Sequence, residues 1–163
     1  VDPKGENMTV IVWDGTTLAT DKQATQSELT RTVTKCRIIR GHLCAAAGDW
    51  DLAQEMFHWF EKGAKPDDIP PFFRSKEDWV AFVAITPDKR VLKYERSPYP
   101  IDFTETVKAD GWFVFGSGRD FAIGALAMGA SPEEAVMIAS KYCSTCGKGV
   151  DVLHLPKKKR AKK

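Results

Sequence analysis

The segment that decides the fold is TVIVWDGTTLATD, residues 9–21. Its first part, Val10–Trp13, is a run of four apolar residues rich in β-branched side chains, which favours a buried strand. Asp14-Gly15 follows, a dipeptide that tolerates positive φ and is one of the strongest short hairpin signals. Residues 16–20 then predict the returning strand. The domain therefore opens with an antiparallel hairpin.

The rest of the chain alternates further strands with helices. A first helix is predicted at 52–62, capped by Asp49 or Asp51 and ended by Gly63. A second is predicted at 119–128, and the segment Ser131-Pro-Glu-Glu starts a third with a capping Ser, Pro at the first helical position and acids in the first turn. The predicted strands are 33–39, 42–47, 79–85, 91–94, 111–115 and 150–155, and the predicted loops are the polar connection 22–31 and the proline-containing segment 64–73.

This order of elements predicts the fold class. A β-rich part, a helix, a second β-rich part, two helices and a last strand suit two stacked antiparallel sheets with helices outside. We expect Val10–Trp13 and the strands at 33–39 and 81–85 to lie in the sheets. The helices that contain Leu52 and Phe121 should cover opposite outer faces. The chain is thus expected to be an α+β protein.

Length and composition fit one globular domain. The chain has 163 residues, 43% of them hydrophobic and 28% charged, which is enough to bury a core and excludes a disordered chain. No apolar run approaches the roughly 18 residues of a membrane helix. The first seven residues are polar, unlike the apolar region of a signal peptide. We therefore expect a cytoplasmic protein without membrane contact.

The charge is unevenly distributed along the chain. Six of the 24 basic residues lie between Lys157 and Lys163, and the remaining 18 face 22 acidic residues, so the body carries about −4. The basic tail, residues 156–163, could contact nucleic acid, act as a nuclear-import-like address or stay solvated. A tail this short does not define a function.

Four cysteines raise the question of a metal or redox site. The pair Cys143 and Cys146 has the CxxC spacing of zinc knuckles and thiol oxidoreductases. Cys36 and Cys44 do not form a second ligand pair of that spacing, and the CxxC follows a predicted helix instead of starting one. The preferred interpretation is small, loop or apolar cysteines in a reducing compartment. We expect neither a bound metal nor a requirement for these cysteines in folding.

Several motifs, in this order and spacing, resemble a known family. They are TVIV at 9–12, ATDKQAT at 19–25, KCR at 35–37, AG at 47–48, GSGRDFAIGAL at 116–126, GASPEEA at 129–135 and GVDVL at 149–153. Together they are similar to the proteasome β-subunit family, especially its small bacterial and phage-borne HslV-like members. The resemblance covers residues 9–155. It implies a four-layer αββα sandwich of the N-terminal-nucleophile hydrolases, which assemble into rings.

The resemblance also implies a set of catalytic residues. Thr9 matches the nucleophile, whose hydroxyl attacks a peptide carbonyl while its own free α-amine serves as base. Asp21 and Lys35 match the Asp on the second strand and the buried Lys beside the nucleophile. Ser117 matches the Ser near the amine, and Gly48 the glycine whose N–H helps form the oxyanion hole.

From the residues alone, each of these positions has a plainer interpretation. Thr9 would begin an edge strand, Asp21 and Lys35 would be exposed, and Ser117 and Gly48 would belong to ordinary turns. The sequence does not distinguish the two interpretations.

Two departures from the family pattern concern the site. Residues 1–8 precede Thr9 and are interpreted as a tag or a propeptide, so the nucleophile is blocked until they are removed. The segment 143–147 lacks the Asp and Ser that many proteasome subunits place near the site.

Two functions remain open at this stage. The first is a threonine-type peptidase subunit of a self-assembled ring, acting on unfolded polypeptides delivered by an ATP-dependent unfoldase, with no cofactor. The second is a catalytically inactive structural homologue, phage-borne in this interpretation, with a basic tail that contacts nucleic acid. The host would be a bacterium or a phage-infected bacterium.

The apolar residues around the first predicted helix also predict self-association, independently of the family resemblance. Around the first helix lie Trp50, Phe57, Trp59 and Phe72, more large apolar residues than one small domain should hide.

Overall fold

The computed structural model describes residues 9–26, 29–75 and 79–157. The predicted N-terminal extension, residues 1–8, and residues 158–163 of the basic tail lie outside this part.

The described residues form eleven strands and four α-helices. The strands are β1 (Val10–Trp13), β2 (Thr17–Asp21), β3 (Gln23–Gln26), β4 (Leu29–Thr32), β5 (Cys36–Ile39), β6 (His42–Gly48), β7 (Val80–Ile85), β8 (Val91–Tyr94), β9 (Ile101–Asp102), β10 (Phe113–Gly116) and β11 (Val150–His154). The helices are α1 (Trp50–Glu61), α2 (Thr104–Asp110), α3 (Arg119–Ala127) and α4 (Pro132–Tyr142). Two 3₁₀ turns, Pro66–Asp68 and Pro71–Arg74, lie in the predicted loop at 64–73.

The strands build two main antiparallel sheets. The first has the order β10-β1-β2-β11 and the second β5-β6-β7-β8-β9, while β3 and β4 pair as a separate hairpin. In the opening hairpin Ile11 pairs with Thr20. The Asp14 carboxylate accepts the N–H of Thr16 at 2.9 Å, and Gly15 takes a φ of +92°, which explains why Asp-Gly fits this turn.

The two sheets pack face to face between two helical layers. Residues of β1 and β2 meet those of β6 and β7 in the centre of the sandwich. On the outside of the second sheet, α1 packs Met56 and Phe60 against Phe82. On the outside of the first sheet, α4 packs Val136 against Val12. The predicted four-layer αββα sandwich, with helices on opposite outer faces, is confirmed.

The polar connection 22–31 was wrongly predicted to be a loop. It contains β3 and part of β4, whose hairpin is built from polar residues and carries no apolar alternation. The strand predicted at 33–39 begins only at Cys36. Residues 33–35 do not belong to this strand. Val33 still continues the β3–β4 hairpin, because its N–H donates to the Lys22 carbonyl at 2.8 Å.

Helix α2 and the short strand β9 were not predicted from the sequence. The helix α2 has no buried residue, and β9 is two residues long, so neither produces a hydrophobic pattern. Gly111, predicted to start a strand, is instead the left-handed C-cap of α2 with a φ of +88°. The strand β10 begins two residues later, at Phe113.

The apolar cluster expected to be exposed around α1 is largely interior. Phe57 and Trp59 are 1% and 3% exposed, because the helix turns both toward the second sheet and the 3₁₀ turns cover its end. The Trp59 indole N–H donates to the Lys65 carbonyl at 2.9 Å. Trp50 and Phe72 are partly buried against the same cluster. These four residues therefore do not support self-association.

No helix in the described parts of the chain is long and apolar enough to cross a bilayer.

The capping box of α4 gives a test of the helical layer. Ser131 Oγ accepts the Glu134 N–H at 3.2 Å, and the Glu134 carboxylate accepts the Ser131 N–H at 2.8 Å. Ser131→Ala should lower the free energy of unfolding by about 1 kcal/mol, measured by urea denaturation, since it removes an N-cap. Ser131→Asp keeps a capping oxygen and should stay close to the original stability. Equal losses in the two variants would contradict the capping role.

Candidate active site

Thr9 lies immediately before β1 and is completely buried. Its hydroxyl donates to Asp21 Oδ1 at 2.8 Å. Its carbonyl accepts the Gly118 N–H and the Ser117 hydroxyl, both at 3.3 Å. Thr9 is thus fixed at both its side chain and its backbone, by residues distant in sequence.

The carboxylate of Asp21, the last residue of β2, collects five hydrogen bonds. Besides the Thr9 hydroxyl, Oδ1 accepts the Val10 N–H at 3.1 Å and the Lys35 ammonium at 2.9 Å. Oδ2 accepts the N–H groups of Gln23 and Gly147, each at 3.1 Å. Asp21 is fully buried. Both of its oxygens are occupied, so the side chain has a single fixed orientation.

Lys35 forms a buried ion pair with Asp21. The two side chains are 4% and 0% exposed. Burial lowers the pKa of Lys35 below its ordinary value, and the attraction of the Asp21 carboxylate offsets only part of this effect. The Lys35 ammonium therefore gives up its proton more readily than an exposed lysine does.

The backbone around Lys35 explains how it reaches this position. Its carbonyl accepts the Ala46 N–H at 3.1 Å, which ties residue 35 to β6 at the entrance of β5. Because 33–35 crosses between the small β3–β4 hairpin and the second sheet, the Lys35 side chain enters the space beside Thr9.

Glycines shape the turn that follows β10. Gly116 has a φ of +109°, and a Cβ on it would lie 2.2 Å from the Thr9 carbonyl oxygen, so no other residue fits. Ser117 comes next, and its hydroxyl lies 2.6 Å from Thr145 Oγ1. The predicted supporting serine therefore contacts the Thr9 backbone and a second hydroxyl.

Gly48 lies at the end of β6. With a φ of +108° and a would-be Cβ 2.4 Å from the Trp79 carbonyl oxygen, it too must be glycine. It borders a narrow cleft that opens beside Thr9 and Lys35. The remaining lining residues are Gln23, Ala24, Thr25, Ala46, Ala47, Trp50 and Ala53.

The structure brings the five candidate residues together. Thr9, Asp21 and Lys35 are in direct contact, Ser117 touches Thr9, and Gly48 shares the cleft. The interpretation of Asp21 and Lys35 as exposed strand-end residues is wrong.

The resemblance related the segment 143–147 to the site, but sequence reasoning assigned its residues no role there. Gly147 binds Asp21, and Thr145 binds Ser117. The CxxC spacing drew attention to the segment, but only strand pairing shows where it lies. Among the described residues no group of three or more His, Cys, Asp and Glu side chains could hold a metal ion.

The two residues of the buried ion pair should differ in how much their substitution lowers the free energy of unfolding, which urea denaturation can measure. Asp21→Asn should cost about 3–5 kcal/mol of unfolding free energy, because it leaves a buried cation without its counter-charge and an amide facing N–H donors. Lys35→Met should cost less, since the carboxylate keeps four hydrogen bonds.

The double variant Asp21→Asn/Lys35→Met completes the comparison. Its loss should be smaller than the sum of the two single losses, because the two groups interact directly. Additive losses in urea denaturation would contradict direct coupling of the pair.

Comparison with known proteins finds solved structures of similar architecture. No protein-family model and no curated protein matches the sequence. Among solved structures it is similar to Thiobacillus denitrificans BPH, at 16% identity and a TM-score of 0.62, over 92% of this chain and 99% of that one. The same protein in complex with epoxomicin matches at 13% identity and a TM-score of 0.63, over 91% and 99%. Eukaryotic HslV from Trypanosoma brucei matches at 18% identity and a TM-score of 0.58, over 89% of this chain and 97% of that one. The chain therefore has the HslV-type, proteasome β-subunit-like fold that its motifs indicated.

Proposed function

We propose that the chain is a threonine-type peptidase subunit whose nucleophile is the Thr9 hydroxyl, active once Thr9 is the first residue. The observation that carries the proposal is the shared contact of Asp21 Oδ1 with the Thr9 hydroxyl and the Lys35 ammonium, at 2.8 and 2.9 Å. A buried ion pair against a threonine at the start of a strand has no evident structural advantage over apolar packing.

Activation of the nucleophile follows from these charges. A free α-amine has a pKa near 8, so at neutral pH it can take the proton of the Thr9 hydroxyl. The positive Lys35 lowers the pKa of that amine and stabilises negative charge on the oxygen, while Asp21 balances Lys35. Lys35 is thereby a positioning and electrostatic residue.

Peptide cleavage then proceeds in two stages. The Thr9 oxygen attacks the substrate carbonyl, and the Gly48 N–H stabilises the resulting oxyanion. The protonated amine passes its proton to the leaving nitrogen, which leaves an ester on Thr9. Water, deprotonated by the same amine, hydrolyses this ester and frees the site.

The cleft beside Thr9 supports an extended polypeptide as substrate. Its lining includes the small side chains of Ala46, Ala47 and Ala53 together with Trp50 and Gly48. A substrate side chain that enters here would contact these residues and the polar groups of Gln23, Thr25 and Lys35. The peptide bond that follows this side chain would lie over Thr9.

Self-assembly into a ring is part of the proposal, with an ATP-dependent unfoldase as the partner that feeds the ring. The apolar surface available for contact between copies lies on α3, α4 and the turn between them. Its members, each 39–89% exposed, are Phe121, Ile123, Met128, Met137, Ile138 and Tyr142. A second copy would bury this surface, which a lone subunit leaves in water.

Freeing Thr9 is the decisive test. A chain that begins at Thr9, verified by intact mass, should hydrolyse small peptide amides or esters, whereas the chain with residues 1–8 attached should not, because an amide nitrogen is no base. Thr9→Ala should abolish hydrolysis without unfolding the subunit, because Asp21 keeps its other four hydrogen bonds. Lys35→Ala should come close to the same loss of rate.

Controls separate loss of chemistry from loss of fold. Thr9→Ser keeps a hydroxyl at the same position and should retain measurable activity. Equal hydrolysis by the capped and freed chains would overturn the proposal. So would a freed chain that assembles fully yet hydrolyses nothing, and the structural, non-catalytic alternative would then take its place.

Epoxomicin offers an independent probe, because a protein of similar structure has been solved in complex with it. We expect the freed chain to bind epoxomicin, detected by intact mass after incubation, and the capped chain and Thr9→Ala to bind none. Binding to all three forms alike would show that the compound does not report on Thr9.

Assembly has its own measurement. Light scattering at micromolar concentration should give a mass of several subunits. The double variant Met137→Glu/Ile138→Glu should shift it toward one subunit, because it places charge in the apolar surface of α4. Tyr99→Glu is the matched control and should assemble normally. Tyr99 is 69% exposed and lies between β8 and β9, away from α3 and α4 in the sequence. A monomeric unmodified chain would contradict the ring.

A further inference from the structure

The turn Cys143-Ser144-Thr145-Cys146 joins α4 to the stretch before β11. The Cys146 N–H donates to the Cys143 carbonyl at 3.2 Å, so the four residues form a hydrogen-bonded β-turn. Such a turn brings its first and last Cα atoms within about 7 Å. Disulfides join Cα atoms about 4.4–6.8 Å apart. Both cysteines are free thiols, and the backbone already brings them close enough for a bond.

Both thiols lie beside Ser117. Cys143 Sγ lies 3.1 Å from Thr145 Oγ1 and 3.9 Å from Ser117 Oγ. Cys146 Sγ lies 3.8 Å from the same Ser117 oxygen. Ser117 is the residue that also donates to the Thr9 carbonyl.

The two cysteines differ in the way that thiol exchange requires. Burial opposes ionisation of Cys143, but polar interactions with Thr145, Cys146 and Ser117 outweigh it, so the pKa of Cys143 lies below its ordinary value. Burial and the negative charge of Asp21 raise the pKa of Cys146 to about 12. Cys143 is also the more exposed of the two. It has the properties of an attacking thiolate, and Cys146 those of a resolving thiol.

We propose that Cys143 and Cys146 are a redox-active dithiol, oxidised by a small-molecule disulfide to an intramolecular disulfide that disturbs the Thr9 site. The Cys143 thiolate attacks one sulfur of the oxidant and releases the first small thiol. Cys146 then attacks the Cys143 sulfur, loses its proton and releases the second. Two protein thiols become one disulfide while one small disulfide becomes two thiols.

Packing determines which part of the turn moves on oxidation. A Cβ on Gly118 would lie 2.9 Å from Cys146 Sγ and 3.0 Å from the Val10 Cβ, so the Cys146 sulfur fills a tight space. Bond formation brings the sulfurs to about 2.05 Å. The sulfurs therefore approach mainly from the Cys143 side, and the peptide bonds of the turn, from Ser144 to Gly147, rotate with this approach.

This movement reaches the candidate active site through four contacts. Gly147 donates to Asp21 Oδ2, and its carbonyl accepts the Lys22 N–H at 2.9 Å. The Gln23 side-chain amide donates to the Ser144 carbonyl at 3.1 Å, and Thr145 contacts Ser117. Oxidation also removes both thiol hydrogens from the neighbourhood of Ser117. The effect of the dithiol on hydrolysis rests on the proposed function, whereas the dithiol itself does not.

The chemistry is tested on the full chain, with oxidised glutathione as the oxidant. Intact mass should fall by two hydrogen atoms, peptide mapping should locate the bond between Cys143 and Cys146, and dithiothreitol should reverse it. Cys146→Ser should trap a glutathione adduct on Cys143, and Cys143→Ser should form neither disulfide nor adduct. Cys36→Ser is the matched control and should oxidise normally. Absence of the disulfide, or equal adduct formation on Cys36 or Cys44, would overturn the proposal.

The coupling to the site has a readout that needs no activity. Oxidation should speed hydrogen exchange of the Gly147 amide, whose partner is Asp21, and unchanged exchange would overturn the coupling. In the chain that begins at Thr9, the hydrolysis rate should fall reversibly by about tenfold to a hundredfold, as displacement of reacting groups by about 1 Å does. The rate of Cys143→Ser should not respond to the oxidant. A disulfide that forms and speeds Gly147 exchange, in a chain without hydrolysis in either state, would support the dithiol and its coupling while rejecting the peptidase.

Discussion

The buried carboxylate of Asp21 is the constraint on which the rest of the site depends. Removing such a charge from water costs several kcal/mol unless a counter-charge and hydrogen bonds replace the lost hydration. Here the replacement comes from Lys35 and four further donors, contributed by the start of β1, by β3, by the segment before β5 and by the turn before β11. These four parts of the chain must therefore take their places together, and the geometry of the candidate site is inseparable from folding.

The same arrangement explains why glycines border the site. Gly116 lets the backbone approach the Thr9 carbonyl, and Gly48 lies against Trp79 where no Cβ has room. Between these close approaches, Thr9 is held at its backbone by Ser117 and Gly118 and at its side chain by Asp21. A nucleophile needs such fixation, because its reactivity depends on orientation toward both substrate and base.

The CxxC turn lies beside the site, in contact with Ser117 and Gln23. A pair of thiols in a loop has no catalytic meaning by itself, and its significance here comes from its neighbours. Ser117 connects the sulfurs to the Thr9 carbonyl, and Gly147 connects the turn to Asp21. A change in the covalent state of the turn would thus reach both supports of Thr9.

The sequence by itself determined the local elements: the Asp-Gly hairpin of residues 9–21, α1 with a capping Asp at 49 or 51, of which the structure uses Asp49, and α4 with its capping Ser131. Each depends on neighbours a few residues apart, which a sequence displays directly. Only the tertiary structure decided that Phe57 and Trp59 are interior, that mainly polar segments pair as β3 and β4, and that α2 forms without a fully buried residue. It also decided the site, because Asp21, Lys35, Ser117 and Gly147 meet Thr9 or one another through pairing of strands far apart in the chain. From the residues alone Asp21 and Lys35 were expected to be exposed, whereas the family resemblance implied a buried site. The burial of their charges follows from long-range packing, which no local pattern encodes.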